Sequence, residues 1–161
     1  MSIISRYIET YDIIQIMNEQ TLAFIEQMEL FGYDTGMPRS LARVIGFLLV
    51  CEPAAQSAKD IQDTLNLSAG AVSNTLAALR ASGMVRPVSV PGVRSMLYEM
   101  DSTSWKRNAA RRLKASTRAL EIAEQGLELQ PGNDRLKAMH RLYEVFDIGA
   151  DALIAKLESI E

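Results

Sequence analysis

A chain of 161 residues is long enough for one domain with a buried core, or for a small domain with extra helices that need a partner, but short for two independent domains. The composition is 48% hydrophobic and 23% charged with five prolines and nine glycines, which excludes disordered and collagen-like chains. No apolar run reaches the roughly 18 residues that a membrane span needs, and the N-terminus is acidic where a signal peptide is basic, so the sequence predicts a cytoplasmic protein.

The net charge of −3 is unevenly distributed along the chain. Residues 1–34 carry −5, residues 35–100 carry +2, residues 101–118 carry +5 and residues 119–161 carry −5. A mildly acidic protein can still bind a polyanion if its positive charge lies on one face, because local potential steers association more than the total does. The alternative is that the basic run is an ordinary solvated helix face.

The N-terminal segment predicts a long helix that ends at glycine. Residues 3–30 contain no Pro or Gly and carry apolar residues at helical spacing. This apolar stripe includes Ile4, Ile8, Tyr11, Ile25 and Met28. Gly32 and Gly36 interrupt the pattern, so the helix is expected to stop there.

The following segment predicts two more helices. The first, over 38–52, has a proline in its first turn, where proline loses no helical hydrogen bond. It is apolar nearly all round after Arg43, so it should lie inside the core. The second helix, over 58–66, is preceded by Ser57, and Asp60 three residues later completes a pattern that resembles a capping box.

The stretch NLSAGAVSNTLAALRASGMV, residues 66–85, is the most informative part of the chain. Ser68 can cap a helix by accepting a hydrogen bond from a backbone N–H one turn further on. Three apolar side chains of that helix recur at i, i+4 and i+7 and should face the core: Val72, Leu76 and Leu79. Gly83 supplies the left-handed backbone position that ends the helix.

A β-hairpin and another helix are predicted next. Residues 85–90 are β-branched and roughly alternating, and residues 95–100 can pair with them across the tip PGVR. The sequence DSTS then offers caps for a helix over 105–129. Its leucines recur every seven residues at Leu113, Leu120 and Leu127.

Beyond Pro131 and Gly132, Asn133 can cap a final helix that runs to the end of the chain. Its apolar residues alternate in steps of three and four, which is an a/d pattern. This seam consists of Leu136, Met139, Tyr143, Phe146, Ala150, Leu153, Leu157 and Ile160. Such a seam can pack within one chain. Because the terminal helices carry more apolar surface than the small central unit can cover, we expect a homodimer interface instead.

Helix, turn, helix and hairpin in this order describe a winged helix-turn-helix, whose second helix enters the DNA major groove. The apolar positions that hold the two helices together are Ile61, Leu65, Leu67 and Val72. The outward positions are small or polar: Ala69, Gly70, Ser73, Asn74, Ala77 and Arg80. Small residues permit close approach, Asn74 can hydrogen-bond an adenine edge, and Ser68 with the first-turn N–H groups can hold a phosphate. The alternatives are a plain helical hairpin and a protein-binding winged helix.

Three segments, GMPRSLARVIGFLLV, LSAGAVSNTLAALRASGMV and PGVRSMLYEM, match in order and spacing the MarR superfamily of bacterial transcription regulators, and more closely its GbsR-like branch. SWKRNAARRL continues the match. The chain resembles that branch over about residues 31–115, and the flanking helices agree in pattern only. The resemblance implies a homodimer with one winged helix per subunit, bound as a repressor to a pseudo-palindromic operator and often released by a small ligand.

The resemblance also assigns individual residues to DNA contacts. It places Ser68, Ser73 and Asn74 on the recognition helix and Arg94 on the wing, after the Pro-Gly tip. Relatives often carry more charge around this arginine, which here is nearly alone in the wing. Arg94 is expected in the minor groove, and four further basic residues are candidates for phosphate contacts: Arg39, Arg43, Lys106 and Arg107.

Four aromatic residues are predicted to gather as a pocket between the winged helix and the dimerisation helices: Phe31, Tyr33, Tyr98 and Trp105. Such rings can hold a cationic ligand. The family that the chain resembles includes regulators that respond to choline-type osmoprotectants, but the effector of this chain is unidentified. A purely structural aromatic cluster is the alternative.

Two other function classes remain open. The first is a winged-helix dimer that binds another protein without contacting DNA, since the central segment carries only +2. The second is an enzyme. This alternative is weaker, because the only histidine, His140, has no Ser, Cys or paired acid at a spacing that suggests a nucleophile or a metal site. Cys51 lies in an apolar run, which favours a buried thiol over a redox role, and no metal or cofactor is expected.

The predicted organisation is a single domain over 1–161, mainly α with a small β-hairpin wing. It comprises an N-terminal dimerisation helix over 1–34, the winged helix-turn-helix over 35–101 and C-terminal dimerisation helices over 102–161. Its predicted partners are double-stranded DNA, a second copy of the chain and a small effector, with no membrane.

Overall fold

The computed structural model describes the backbone of residues 3–159 and the side chains of residues 19–159. Within that range the fold is mainly helical with one small antiparallel sheet, as the sequence predicts. The elements are α1 (Ile3–Asp34), α2 (Arg39–Val50), β1 (Gln56–Ser57), α3 (Ala58–Leu65), α4 (Ala69–Ala81), β2 (Val85–Val88), β3 (Leu97–Met100), α5 (Ser104–Leu129), α6 (Asp134–Asp147) and α7 (Ala150–Glu158). The chain divides into two compact units, Met1–Asp101 and Ser102–Glu161. The single domain over 1–161 stays a prediction.

Four residues of the predicted apolar stripes lie outside the described side chains: Ile4, Ile8, Tyr11 and Ile160. Ile25, which belongs to the same stripe, is buried in the core of the first unit, and Met28 packs against that core.

The core of the first unit joins α2 to the helix-turn-helix formed by α3 and α4. The predicted core position of α2 is confirmed, because most of its side chains after Arg43 are buried. The predicted contacts between α3 and α4 are confirmed as well. The buried side chains that hold them are Ile61, Leu65, Val72, Leu76 and Leu79, with Leu67 packed against them. Burial of this apolar surface is the main force that fixes α4 on the unit.

Both helices of this motif begin with the caps that the sequence predicts. Ser57 Oγ accepts a hydrogen bond from Asp60 N at 3.1 Å, and Ser57 N–H donates to Asp60 Oδ2 at 3.0 Å, which completes a capping box. Ser57 Oγ also donates to Asp60 Oδ2 at 2.7 Å, and this hydrogen bond is the main reason that the pKa of Asp60 is lowered. Ser68 Oγ accepts from Ala71 N at 3.2 Å at the start of α4. Gly83 follows the last turn of α4 with a φ of +69°, as expected.

Replacing Asp60 by alanine is expected to destabilise the protein by roughly 0.5–1 kcal/mol at neutral pH, because one half of the capping box is lost. The folded-state pKa of Asp60 is lowered, so its contribution is present above the unfolded pKa, about 3.9, and disappears as the pH falls through the folded value. Urea unfolding of both proteins at pH 7, 5 and 3 measures this difference. Thr64→Ala on the same helix is the control, because it removes an exposed side chain that carries no titratable group, and a constant Asp60 effect down to pH 3 would contradict the assignment.

Helices α1 and α2 approach each other closely at Gly32 and Ala42. The first helix ends at Asp34, within the segment 31–36 where the sequence predicts its end, but Gly32 itself is still helical and the left-handed turn comes at Gly36, with a φ of +70°. A Cβ at Gly32 would lie 2.5 Å from Cβ of Ala42 on α2. Glycine is present at this position because the two backbones approach too closely for a side chain, not because the helix stops.

The wing is the predicted hairpin, with shorter strands than expected. Strands β2 and β3 pair antiparallel with Val85 opposite Met100. The sequence did not predict β1, which pairs with the other side of β3 and gives the sheet order β1-β3-β2. Two residues are too few to show an alternating pattern. Cys51, just before this strand, is a buried thiol whose pKa burial raises.

The second unit is a helical hairpin of α5 and α6 with α7 packed back on α5. The Asn133 cap is confirmed, since its Oδ1 accepts from Arg135 N at 3.0 Å and from Leu136 N at 3.3 Å. The expected cap of α5 differs, because Thr103 at the N-cap position makes no side-chain cap hydrogen bond. No helix among the described residues is long and apolar enough to cross a membrane.

The prediction of a single final helix is wrong, because two helices occupy this part of the chain. Helix α6 ends at Asp147, Ile148 is extended, and Gly149 adopts a left-handed φ of +86° before α7 begins. The apolar spacing of three and four continues through this break, so periodicity alone does not reveal it. The seam is therefore divided between two helices instead of forming one continuous stripe.

Candidate nucleic-acid interface

Helix α4 has a buried face and an exposed face. Besides its apolar residues, the buried face contains Thr75, whose Oγ1 donates to Ser40 Oγ of α2 at 3.3 Å. All six residues predicted to point outward are exposed, as is Ser68 at the N-cap: Ala69, Gly70, Ser73, Asn74, Ala77 and Arg80. The side-chain pattern of the motif therefore presents a surface of small and polar groups, with one cation, on a helix that the core holds in place.

The N-terminus of α4 can bind an anion. The first N–H groups of a helix have no intrahelical partner and carry the positive end of the helix dipole. Ser68 Oγ accepts from Ala71 N, which leaves its own hydroxyl hydrogen available to a phosphate oxygen. The absence of any acidic residue in the first turn of α4 is consistent with an anionic partner there.

A groove of about 350 Å³ runs between α3 and α4 and reaches β3. Its α4 side is formed by the small residues Ala69, Ser73 and Ala77, with Arg80 at the same wall. Residues of α3 that the sequence did not single out form the other side, including Lys59 and Gln62. The small side chains thus produce a concave surface next to the exposed helix face, and a polymer that lies along α4 would meet both.

The wing tip carries one exposed arginine among apolar side chains. Arg94 is exposed and forms no ion pair within the described residues. Val90, Val93 and Met96 around it are 39%, 45% and 47% exposed. On the strands below, Arg86 forms an ion pair with Glu99 directly opposite, so this second wing cation is already neutralised.

Arg39 and Arg43, two of the predicted phosphate contacts, share one carboxylate. Arg39 Nε lies 2.5 Å and Arg43 Nη1 lies 2.9 Å from the oxygens of Glu29 on α1. The hydrogen bond from Arg43, followed by that from Arg39, lowers the pKa of Glu29. Arg39 is 75% exposed and can still reach a phosphate, but Arg43 is only 20% exposed. Arg43 makes its hydrogen bonds within the first unit, and its phosphate contact stays a prediction.

The other predicted basic contacts lie in the second unit. Lys106 is half-buried and Arg107 is exposed, near the start of α5. Arg107 Nη1 donates to Thr103 Oγ1 at 2.6 Å, one turn earlier on the helix. Phosphate contacts by these two residues stay a prediction.

The four aromatic residues of the predicted effector pocket have different surroundings. Phe31 and Tyr33 at the end of α1 are 53% and 84% exposed, whereas Tyr98 on β3 lines the groove between α3 and α4. Trp105 belongs to the second unit. The three in the first unit do not form a common cluster there, and an effector site at the four residues stays a prediction.

The second unit has an apolar groove of its own, which the sequence did not predict. It has a volume of about 550 Å³ and is lined by residues of α5 and α6, including Leu113, Tyr143 and Phe146. The ring centroids of Tyr143 and Phe146 lie 6.3 Å apart.

His140 lies between two glutamates. Its Nε2 is 3.7 Å from Glu124 Oε1, and its Nδ1 is 3.9 Å from Glu144 Oε2. Over the described residues, no group of His, Cys, Asp and Glu is arranged to hold a metal ion.

Comparison with known proteins identifies regulators. No family model matches the chain. The HTH-type transcriptional regulator MmpR5 of Mycobacterium tuberculosis is 26% identical over 139 residues, which cover 86% of this chain and 81% of that protein. A crystal structure of a transcriptional regulator has a TM-score of 0.70 and 23% identity, covering 88% of this chain and 99% of the other, which shows a shared fold. NMB1585, a MarR family regulator from Neisseria meningitidis, reaches a TM-score of only 0.39 at 14% identity, over 98% of both chains.

Proposed function

We propose that this chain is a DNA-binding transcription regulator of the MarR type, which acts as a homodimer and represses genes by occupying a pseudo-palindromic operator. The observation that carries the proposal is α4, whose outward small and polar residues are exposed while its other face is fixed in the core. A wing follows it, as DNA-reading winged helices require. Similarity to a protein named as an HTH-type transcriptional regulator, over most of both chains, supports the regulatory class.

In this proposal the two copies of α4 enter successive major grooves about 34 Å apart. Ser73 and Asn74 face base edges, and the N-terminus of α4 with Ser68 holds a phosphate. Arg94 reaches the neighbouring minor groove, and Arg39 contacts the backbone. We further propose that the chain belongs to the GbsR-like branch and that a small effector releases it from DNA. Identification of the effector would test both statements.

Selection of bound duplexes from a random DNA pool by the purified protein, at two salt concentrations, tests the function. We expect enrichment of an inverted repeat and weaker binding at higher salt, because binding to phosphates releases counterions. Absence of any enriched sequence at low salt, with and without cell-extract small molecules, would contradict DNA reading.

Arg94→Ala is expected to weaken binding to all sequences alike and to lower the slope of log affinity against log salt by about 1 per subunit. The reason is that an arginine in the minor groove contributes to DNA affinity mainly through its charge, and no neighbouring cation in the wing tip replaces that contribution. Fluorescence anisotropy with labelled operator at four salt concentrations measures the slope. Arg86→Ala is the matched control on the same wing. Since Glu99 already neutralises Arg86, its slope should equal that of the wild type, and equal slopes for all three proteins would contradict the role of Arg94.

The homodimer is proposed from the apolar surface of the second unit. Part of the predicted seam is used within the chain, since Leu136 packs against Gly126 of α5 and Met139, Tyr143 and Leu157 are half-buried. Phe146 and Leu153 are 53% and 52% exposed. Three further residues of this region that the seam did not include are more exposed still: Leu142, Val145 and Ile148. Exposed apolar surface of this extent is typical of a protein interface.

Val145→Glu is expected to convert the protein to a monomer, because burying a carboxylate in an apolar interface costs several kcal/mol. Light scattering coupled to size-exclusion chromatography measures the mass. Arg141→Glu on the same helix introduces the same side chain at an exposed polar position and should leave the mass unchanged. An unchanged mass for Val145→Glu would place the dimer interface elsewhere.

A second candidate function is a winged-helix dimer that binds another protein. The apolar side chains at the wing tip favour it, since they offer a protein-like contact surface around a single cation. Retention of a partner complex at high salt would distinguish it, because complexes dominated by phosphate contacts lose affinity steeply with ionic strength.

A further inference from the structure

One arginine connects three helices of the first unit. Arg43 lies on α2 and is largely enclosed. Its Nη1 donates to Glu29 Oε2 on α1 at 2.9 Å, and its Nη2 donates to the backbone carbonyl of Leu65 at 3.3 Å. Leu65 is the last residue of α3. The guanidinium therefore joins α1 to the C-terminal end of the first helix of the helix-turn-helix.

The carbonyl that Arg43 binds lies at the start of the turn. The last carbonyls of a helix have no intrahelical partner, and here one of them is bound by a cation, which complements the negative end of the helix dipole. Asn66 then adopts a left-handed φ of +50°, and Leu67 N–H returns to Gln62 O at 3.1 Å. Ser68 caps α4 immediately afterwards. The Leu65 carbonyl therefore lies only three residues before the N-cap of the recognition helix.

The other end of the connection is closely packed. A Cβ at Gly32 would lie 2.5 Å from Ala42 Cβ and one at Gly46 would lie 3.0 Å from Met28 Cβ, so α1 and α2 are in close contact at both places. Packed interiors transmit displacement because they contain few voids. A movement of the second half of α1 would therefore be passed through α2 and Arg43 to the turn.

We infer that Glu29 and Arg43 form a positioning pair that holds the α3–α4 turn, and with it the N-terminus of α4, at a fixed place relative to α1. In this role neither residue needs to contact DNA. Arginine suits this task because its planar fork reaches two acceptors at once, whereas a lysine ammonium is a point charge on a flexible stem. In the homodimer the pair would set the separation of the two recognition helices, a consequence that rests on the proposed function.

Hydrogen exchange of the full chain tests the pair without DNA. In Arg43→Lys, which keeps the charge, we expect the hydrogen-bonded amides of Asn66, Leu67 and Ala71 to exchange faster by on the order of tenfold, because the link to the carbonyl is lost. Glu29→Gln should give the same local change. Arg39→Lys is the matched control, since it makes the same substitution at the same carboxylate without touching α3. Residues 44–48 of α2 should keep their protection in all variants.

Faster exchange confined to residues 65–71 in Arg43→Lys and Glu29→Gln would support the positioning pair. Equal acceleration over residues 44–48 would overturn it, because the pair would then be a general brace of the core. Unchanged exchange in both segments would overturn it as well.

Selection of DNA with varied half-site separation tests the consequence for the dimer. Wild type and Arg39→Lys should enrich one separation, and Arg43→Lys should bind a broader range with less than tenfold discrimination between neighbouring separations. A uniform loss of affinity with the same preferred separation would overturn the effect on spacing. If the wild type enriches no inverted repeat, the proposed function fails, while the exchange result still decides the positioning pair.

Discussion

Replacing Gly32 by alanine is expected to destabilise the protein by about 1–2 kcal/mol, although alanine is the better helix former. The gain in helix propensity is at most about 1 kcal/mol. Against it stands a methyl carbon placed 2.5 Å from Cβ of Ala42, far inside the 3.5–4.0 Å of a normal carbon contact. Overpacking of this kind typically costs 1–3 kcal/mol, so the clash should exceed the gain. Thermal unfolding measures it, as a fall in Tm of about 2–4 °C for each kcal/mol.

Two variants make this prediction specific. Gly70→Ala also places alanine in a helix, but no atom lies within 4 Å of its Cβ, so it should stabilise the protein by up to about 1 kcal/mol. Adding Ala42→Gly to Gly32→Ala moves the methyl group from one helix to the other and should restore part of the lost stability. A double variant as unstable as the sum of the single changes would show that the close contact of α1 and α2 is not what requires glycine.

The helix-turn-helix could be predicted because its signals are local. A cap and a run of apolar residues at helical spacing lie within a few residues of each other in both α3 and α4, Gly83 marks the end of α4, and each signal indicates the same structure. The hairpin follows from the same kind of pattern. Strand β1 and the break at Gly149 were missed because neither changes the local periodicity: one is two residues long, and the other keeps the apolar spacing of the helices around it.

The sequence predicts which face of α4 is exposed, but it does not predict which residues the arginines of the first unit pair with. Exposure of Asn74 and its neighbours on α4 follows from helical geometry once the core residues are known. The role of Arg43 does not, because Glu29 lies fourteen residues before it and Leu65 twenty-two residues after it. Neutralisation of Arg86 by Glu99 likewise depends on the register of two strands. Basic residues in the sequence therefore overstate the positive charge that is available to DNA.

Asn74→Ala is expected to lower affinity for the selected operator by about 1–3 kcal/mol, a loss of roughly 5- to 150-fold, and to relax the preference at one base pair of each half-site. An asparagine amide reads adenine through a donor and an acceptor together, and alanine offers neither. The cost falls on the cognate base pair, since other bases never satisfied both groups. Folding should be unaffected within about 0.5 kcal/mol, because Asn74 is exposed and alanine favours the helix.

Binding measured against a set of operators, each with one base pair changed, separates this result from loss of a phosphate contact. Asn74→Ala should flatten the profile at one position, whereas Arg94→Ala should lower all affinities and leave the profile intact. A profile unchanged in Asn74→Ala would remove this side chain from base reading. The remaining polar group on that part of α4 is then Ser73, at the edge of the α3–α4 groove, and specificity would depend on that groove and on the shape of the DNA it receives.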